Sequence, residues 1–193
     1  DSVKITISKN LISNFFVGIQ TRADAANIRN NIIRSQICIQ MVGKKADIVN
    51  NTFIVQSGLV GVQFIMGSGT LRNNCFAGYP PSGTYITSIQ VPPTATVERT
   101  YNNRWGFNHV SEIPISSTEI SVDPIFINLS KSNFHLMSSS PCINAGNSLP
   151  EYNDKDGTRN DIGAYGGPDP LPEYMTFALA TELSLKGRTG FPG

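Results

Sequence analysis

The sequence predicts an all-β solenoid of short parallel strands, and three observations carry that prediction. An Asn recurs at a near-constant spacing, a Gln column keeps step with it, and the composition suits bends better than helices. The Asn column is Asn10, Asn31, Asn51, Asn74 and Asn103, evenly stepped through the first four and wider before the last. The Gln column is Gln20, Gln40, Gln63 and Gln90, and each precedes the next Asn by one constant offset, stretched only between Gln90 and Asn103. Two columns locked together define a repeat, and a repeat of this length built from short β-branched runs is one coil of a strand solenoid. The 193 residues include 18 Asn, 17 Gly and 12 Pro, which favour turns over helix interiors.

Each element follows from this register. The first copy, Ile7-Ser8-Lys9-Asn10-Leu11-Ile12, carries Lys9 where later copies carry a first Asn. The later copies are Ile28-Arg29-Asn30-Asn31-Ile32-Ile33, Ile48-Val49-Asn50-Asn51-Thr52-Phe53, Leu71-Arg72-Asn73-Asn74-Cys75-Phe76 and Thr100-Tyr101-Asn102-Asn103-Arg104-Trp105. Residues three before the Asn (Ile7, Ile28, Ile48, Leu71) and two after it (Ile12, Ile33, Phe53, Phe76, Trp105) should point inward and stack like on like. The Asn then sits at a bend, where its amide bonds the backbone and the next Asn, giving a structural ladder. Strand alternation places the Gln column on an outer face. There it forms a second amide ladder, the favoured role, or offers amides to sugar hydroxyls or another subunit. Insertions such as 78–83 fall between Asn and Gln. Leucine-rich repeats share the period, but their Leu-x-x-Leu-x-Leu frame is missing.

Residues 3–105, through this repeat, resemble the right-handed parallel β-helix superfamily, which includes pectate-lyase-like proteins and phage tailspikes. A second resemblance lies at 121–168. Asp123-Pro124-Ile125-Phe126-Ile127, Asn133-Phe134-His135-Leu136, Ser140-Pro141-Cys142-Ile143-Asn144-Ala145-Gly146 and Asp161-Ile162-Gly163-Ala164-Tyr165-Gly166 look like the terminal segment of many secreted bacterial β-helix proteins. The resemblance implies a right-handed parallel β-helix at 1–120, a terminal coil or cap at 121–168 that closes the solenoid, and an extracellular or cell-surface location. Residues 169–193 read as a linker (Asp169-Pro170-Leu171-Pro172), an alternating strand with Met175, Phe177, Leu179, Leu183 and Leu185 on one side, and a Gly-x-y stub from Gly187. That apolar side is the expected oligomerisation element, in a trimer or a fibre.

Enzymes of the pectin-active group use clustered Asp residues, or Asp-bound calcium with an Arg or Lys base. Between Val3 and Glu98 the only acids are Asp24, Asp47 and Glu98, none repeated at an equivalent place in the next coil, so no carboxylate pair is expected for acid–base work. His135 reads as structural within its Phe-His-Leu run. Asp154, Asp156 and Asp161 have the spacing of a calcium loop, the one cofactor the sequence offers. An EF-hand frame fails, because it would put Tyr152 and Gly163 at ligand positions, and an Asp/Gly turn before a 161–165 strand is favoured.

Fifteen Lys and Arg against fourteen Asp and Glu leave no cationic surplus for nucleic acid, and no apolar run is long enough to span a bilayer. Cys38, Cys75 and Cys142 fit no zinc spacing and read as buried thiols. The chain starts Asp1-Ser2-Val3 without Met, which points to a processed or excised product. Asn50-Asn51-Thr52 and Asn128-Leu129-Ser130 match the glycosylation tripeptide. The function expected from all this is a non-enzymatic structural or adhesive module that assembles with itself. The alternative is a carbohydrate-active or polysaccharide-binding protein with its reactive residues outside this segment.

Overall fold

The computed structural model describes residues 2–56, 59–110 and 112–175. Its strands follow one another three to a coil. Coil one holds β1 (Lys4–Ser8), β2 (Leu11–Ser13) and β3 (Val17–Thr21). Coil two holds β4 (Ala25–Arg29), β5 (Ile32–Arg34) and β6 (Ile37–Met41), and coil three β7 (Lys45–Val49), β8 (Thr52–Val55) and β9 (Val60–Phe64). Coil four holds β10 (Ser68–Arg72), β11 (Cys75–Gly78) and β12 (Thr87–Gln90), and β13 (Thr96–Thr100) and β14 (Asn103–Trp105) begin a fifth. Equivalent strands pair in parallel in three sheets, ordered β1-β4-β7-β10-β13, β2-β5-β8-β11-β14 and β3-β6-β9-β12. The result is an all-β parallel solenoid of about four turns.

The interior is filled as the repeat demands. Ile28, Ile48 and Leu71 stack in one column and Ile33, Phe53 and Phe76 in another, all fully buried. The Phe53 and Phe76 rings meet at 4.7 Å. Each such side chain contributes about 1.5–3 kcal/mol of hydrophobic stabilisation.

The bend between the first and second sheets divides the Asn doublet into two jobs. The second Asn builds the ladder: Asn10, Asn31 and Asn51 each donate Nδ2 to the Oδ1 of the next coil's Asn at 2.9–3.0 Å. The first takes a left-handed backbone, with φ of 52° at Asn30 and Asn50 and 57° at Asn73, a region Asn tolerates better than most residues.

In the fifth coil that left-handed residue is Tyr101, at φ 55°. The doublet therefore falls one place late. Asn74 Nδ2 donates to Asn102 at 2.9 Å, so Asn102, not Asn103, ends the ladder. Asn103 instead pairs with Cys75 in register and bonds Val122. The same shift corrects the inward residue: Arg104 aligns with Phe76 and is buried, while Trp105 lies edge-on to Tyr79 at 5.4 Å.

Residues 106–110 and 112–120 cover the core at the C-terminal end. Phe107 and Ile113 pack on the core, and Ile120 makes a single parallel bridge to Asn103. The expectation that 121–168 caps this end is therefore corrected. That segment, continuing to Met175, returns along the flank of the coils as a strap. It includes one antiparallel pair, β15 (Phe126–Asn128) with β16 (Asn133–Leu136). The reason is apolar surface: Leu11, Ile32, Ile54 and Ala77 face outward from the second sheet and are covered by Phe134, Ala164 and Leu171.

The left-handed asparagines tie the strap down. Asn30 Nδ2 donates to the carbonyls of Ala164 (3.1 Å) and Gly166 (2.8 Å). Asn50 Nδ2 donates to those of Asp161 and Gly163, and Asn73 Oδ1 accepts from Asn147 N at 2.8 Å. Lys9, at the same bend of coil one, pairs with Asp169. Residues 161–165 are irregular rather than a strand, because their carbonyls serve these amides and Gly163 takes φ 123°. The expected linker is docked too: Leu171 is buried and its N–H donates to Ala164.

Candidate functional site

The two ends of the solenoid expose opposite hydrogen-bonding groups, and this polarity defines the candidate site. In both ladders the amide NH2 points toward the C-terminal end and the carbonyl toward the N-terminal end. The Gln column forms such a ladder, Gln20 to Gln40, then Gln40 to Gln63 and Gln63 to Gln90 at 2.7 Å each. The favoured reading of that column is thus the one observed. At the N-terminal face, Asn10 Oδ1 and Gln20 Oε1 accept from no donor among the described residues, and both side chains are exposed. β1, β2 and β3 are the last strands of their sheets. Ile5, Ile7 and Ile12 are only partly covered, where their counterparts one coil on are buried. Val3, Phe15 and Phe16 stand 59–62% exposed around the rim.

A groove of about 350 Å³ adjoins this face, lined by Asn14, Phe15, Phe16, Arg34, Gln36 and Gln56 among others. It offers two aromatic faces beside three side-chain amides. Arg34 Nη1 donates to Ser132 Oγ of the strap at 3.0 Å.

The other sequence candidates lie elsewhere. Asp154, Asp156 and Asp161 line one cleft with Lys9 and Asp169, and among the described residues no three His, Cys, Asp or Glu side chains are grouped to hold a metal. Their oxygens serve turns: Asp154 accepts from Asp161 N at 3.0 Å and Gly167 N at 2.5 Å, Asp161 from Asn144 N, and Asp156 from the Thr158 N–H and hydroxyl. Burial raises Asp154 to about 6 and raises Asp161 as well, while the Thr158 hydroxyl lowers Asp156. His135 stacks on Tyr165 at 3.8 Å. Asn50, the acceptor position of one glycosylation tripeptide, is buried in the strap contact.

Of the expected oligomerisation run, Met175 packs on the chain's own strap cluster and its carbonyl accepts from Tyr165 Oη at 3.1 Å. Phe177, Leu179, Leu183 and Leu185 lie outside the described residues.

Sequence reasoning missed the group that closes the C-terminal end. Glu119 Oε1 accepts from Asn102 Nδ2 at 3.1 Å, occupying the place of a next Asn carbonyl, and its other oxygen pairs with Arg99 at 3.2 Å. Glu112 accepts from Ser88 N at 2.8 Å and lies 3.5 Å from Arg104 Nη2. Burial lowers the Arg104 guanidinium, and Glu119 and Glu112 raise it again. A lone Glu after a break in the repeat carries no sequence signal for this role. Protein-family models, curated proteins and solved structures contain no match to the chain.

Proposed function

We propose that this chain is a non-enzymatic structural module: the closed terminal unit of an extracellular or cell-surface β-helix of the pectate-lyase-like kind. It assembles through its N-terminal face. The observation that supports this is the pair of unmatched carbonyls, Asn10 Oδ1 and Gln20 Oε1, above three unpaired strand edges and a half-covered apolar layer. Exposed parallel edges of this type are templates for another strand. The carbonyls select the partner, because they need donors. A second copy docked face to face brings carbonyl against carbonyl. Among the described residues the C-terminal end of a copy offers the exposed Gln90 amide but not that of Asn102, which Glu119 occupies, so a copy docked head to tail answers Gln20 and leaves Asn10 unmatched. The partner is therefore a parallel coil of the same repeat type, with its Asn and Gln amides aimed at this face, supplied by the same polypeptide or another.

Solenoid stability grows by nearest-neighbour interfaces, which gives the test. A copy of residues 23–42 placed directly before Ser2 puts the copied Ala25 one full coil ahead of Lys4, in the register that Ala25 holds to Lys45. The added coil should raise the thermal midpoint and protect the β1–β3 amides from hydrogen exchange. An unchanged midpoint with unprotected amides overturns the proposal.

A second reading rests on the groove beside Phe15 and Phe16, whose aromatic faces and amides suit a polysaccharide. Retardation of the protein in polysaccharide-containing native gels, lost in Phe16→Ala, supports it.

A further inference from the structure

The strap and the coils meet at a pair of thiols. Cys75 lies in β11 and is fully buried on the side away from Phe76, in register with Thr52 and Asn103. Cys142 lies in the strap turn after Ser140 and is also fully buried. The two cysteines and Ile162 form one buried cluster, ringed by Ile120, Phe126, Leu136 and Ala145. Asn103 Nδ2 donates to Cys142 Sγ at 3.3 Å from the strand position beside Cys75. Both thiols are free in this structure. The third, Cys38, sits inside the coils, where its Sγ donates to the Ile33 carbonyl at 3.4 Å.

We propose that Cys75 and Cys142 are an oxidation site, the two halves of a disulfide latch that fixes the strap to the coils. Their placement suits a latch rather than a core filler. Each thiol belongs to a different element, both point into one dry contact, and a long stretch of chain separates them in sequence. Closing so long a loop removes much of the freedom of the unfolded chain.

The cluster also controls when the bond forms. The hydrogen bond with Cys142 and burial both hold the Cys75 thiol protonated, and only a thiolate attacks a disulfide. With the strap closed the pair is inert; strap opening exposes it.

The co-reactant is an exchangeable small disulfide such as oxidised glutathione. One cysteine loses its proton and attacks a glutathione sulfur, forming a mixed disulfide and expelling one glutathione thiolate. The second cysteine loses its proton, attacks the protein-bound sulfur and expels the other thiolate. The protein gives up two protons and two electrons, and the glutathione disulfide is reduced to two thiols.

The test uses the whole chain, incubated with oxidised glutathione in denaturant just below the unfolding transition and then returned to buffer. The expected product is about 2 Da lighter, yields a peptide joining Cys75 to Cys142, and keeps one titratable thiol, Cys38, when fully denatured. Its thermal midpoint should rise by roughly 10 °C and return on reduction. Cys142→Ala, treated alike, should show no such rise. Three remaining thiols, stable glutathione adducts on both cysteines, or a crosslink that includes Cys38 each overturn the latch.

Discussion

The two ends of this solenoid are built from the same coil yet end differently. At the C-terminal end the last coil presents donors, the Nδ2 of Asn102 and the N–H groups of Ile86 and Ser88. Residues 106–110 and 112–120 answer these with acceptors, Glu119 on Asn102, Asn108 Oδ1 on Ile86 at 3.0 Å, and Glu112 on Ser88, and leave only the exposed Gln90 amide of the outer ladder to solvent. At the N-terminal end the first coil presents carbonyls, and among the described residues nothing answers the two at Asn10 and Gln20. An amide ladder has a direction, so its two ends need chemically opposite closures. A carboxylate terminates one and cannot terminate the other, where only a donor fits. The strap respects the same logic sideways, since it meets the NH2 groups of Asn30 and Asn50 with backbone carbonyls.

The comparison breaks most sharply at Glu119. Its side chain is fully buried, and it is the acceptor for Asn102, Arg99 and the Ser116 N–H together. Replacing Glu119 with Ala leaves Arg104 and Arg99 short of counter-charge in a closed site. Removing one member of a buried pair costs about 3–5 kcal/mol. Chemical denaturation should show a loss of that size, the largest of any substitution considered for the solenoid. A loss like that of an exposed pair, about 0–1 kcal/mol, would mean the end is held by Phe107 and Ile113 alone.

Position along the ladder sets the next effect. Asn51→Leu strands Asn31 N–H, which donates to Asn51 Oδ1 at 3.0 Å, and removes bonds to Ile28 and Val49, in full burial. The expected loss is about 1–3 kcal/mol. Asn10→Leu removes bonds that water can replace, because Asn10 is exposed. Its loss should stay below about 1 kcal/mol. Equal denaturation midpoints for the two variants would contradict an open N-terminal end.

How much of this is legible in the sequence follows from what repeats. The coils, their inward columns and both amide ladders can be read, because each coil solves the same packing problem with the same residues at the same spacing. Lys9, which departs from the doublet, is visible as an exception, but its partner Asp169 lies near the other end of the sequence and no spacing links them. Sequence reasoning sends the strap to the end of the solenoid because its true destination depends on the outward apolar residues Leu11, Ile32, Ile54 and Ala77. In the sequence these are indistinguishable from inward ones. Glu119 and the Cys75–Cys142 contact are single events in three dimensions and leave no periodic trace. The slip from Asn102 to Asn103 has a more local cause. Sequence alignment matches the Asn-Asn pair as a unit, whereas the feature held constant across coils is one left-handed residue followed by one ladder amide.

That distinction supports the smallest and most discriminating prediction. In the observed register Tyr101 occupies the left-handed corner used by Lys9, Asn30, Asn50 and Asn73. A left-handed backbone costs an ordinary L-residue roughly 1–2 kcal/mol, and Asn less, because its short side chain bonds locally. Tyr101→Asn should therefore stabilise the protein by about 0.5–1 kcal/mol, or roughly 1–4 °C in thermal midpoint. If Asn103 were the ladder residue, Asn102 would hold the corner and Tyr101 would be an extended strand residue. Asn is a poorer strand former than Tyr, so the same substitution would then lower the midpoint. The sign of the shift decides between the two registers, and with it whether Glu119 or a further Asn stands at the end of the ladder.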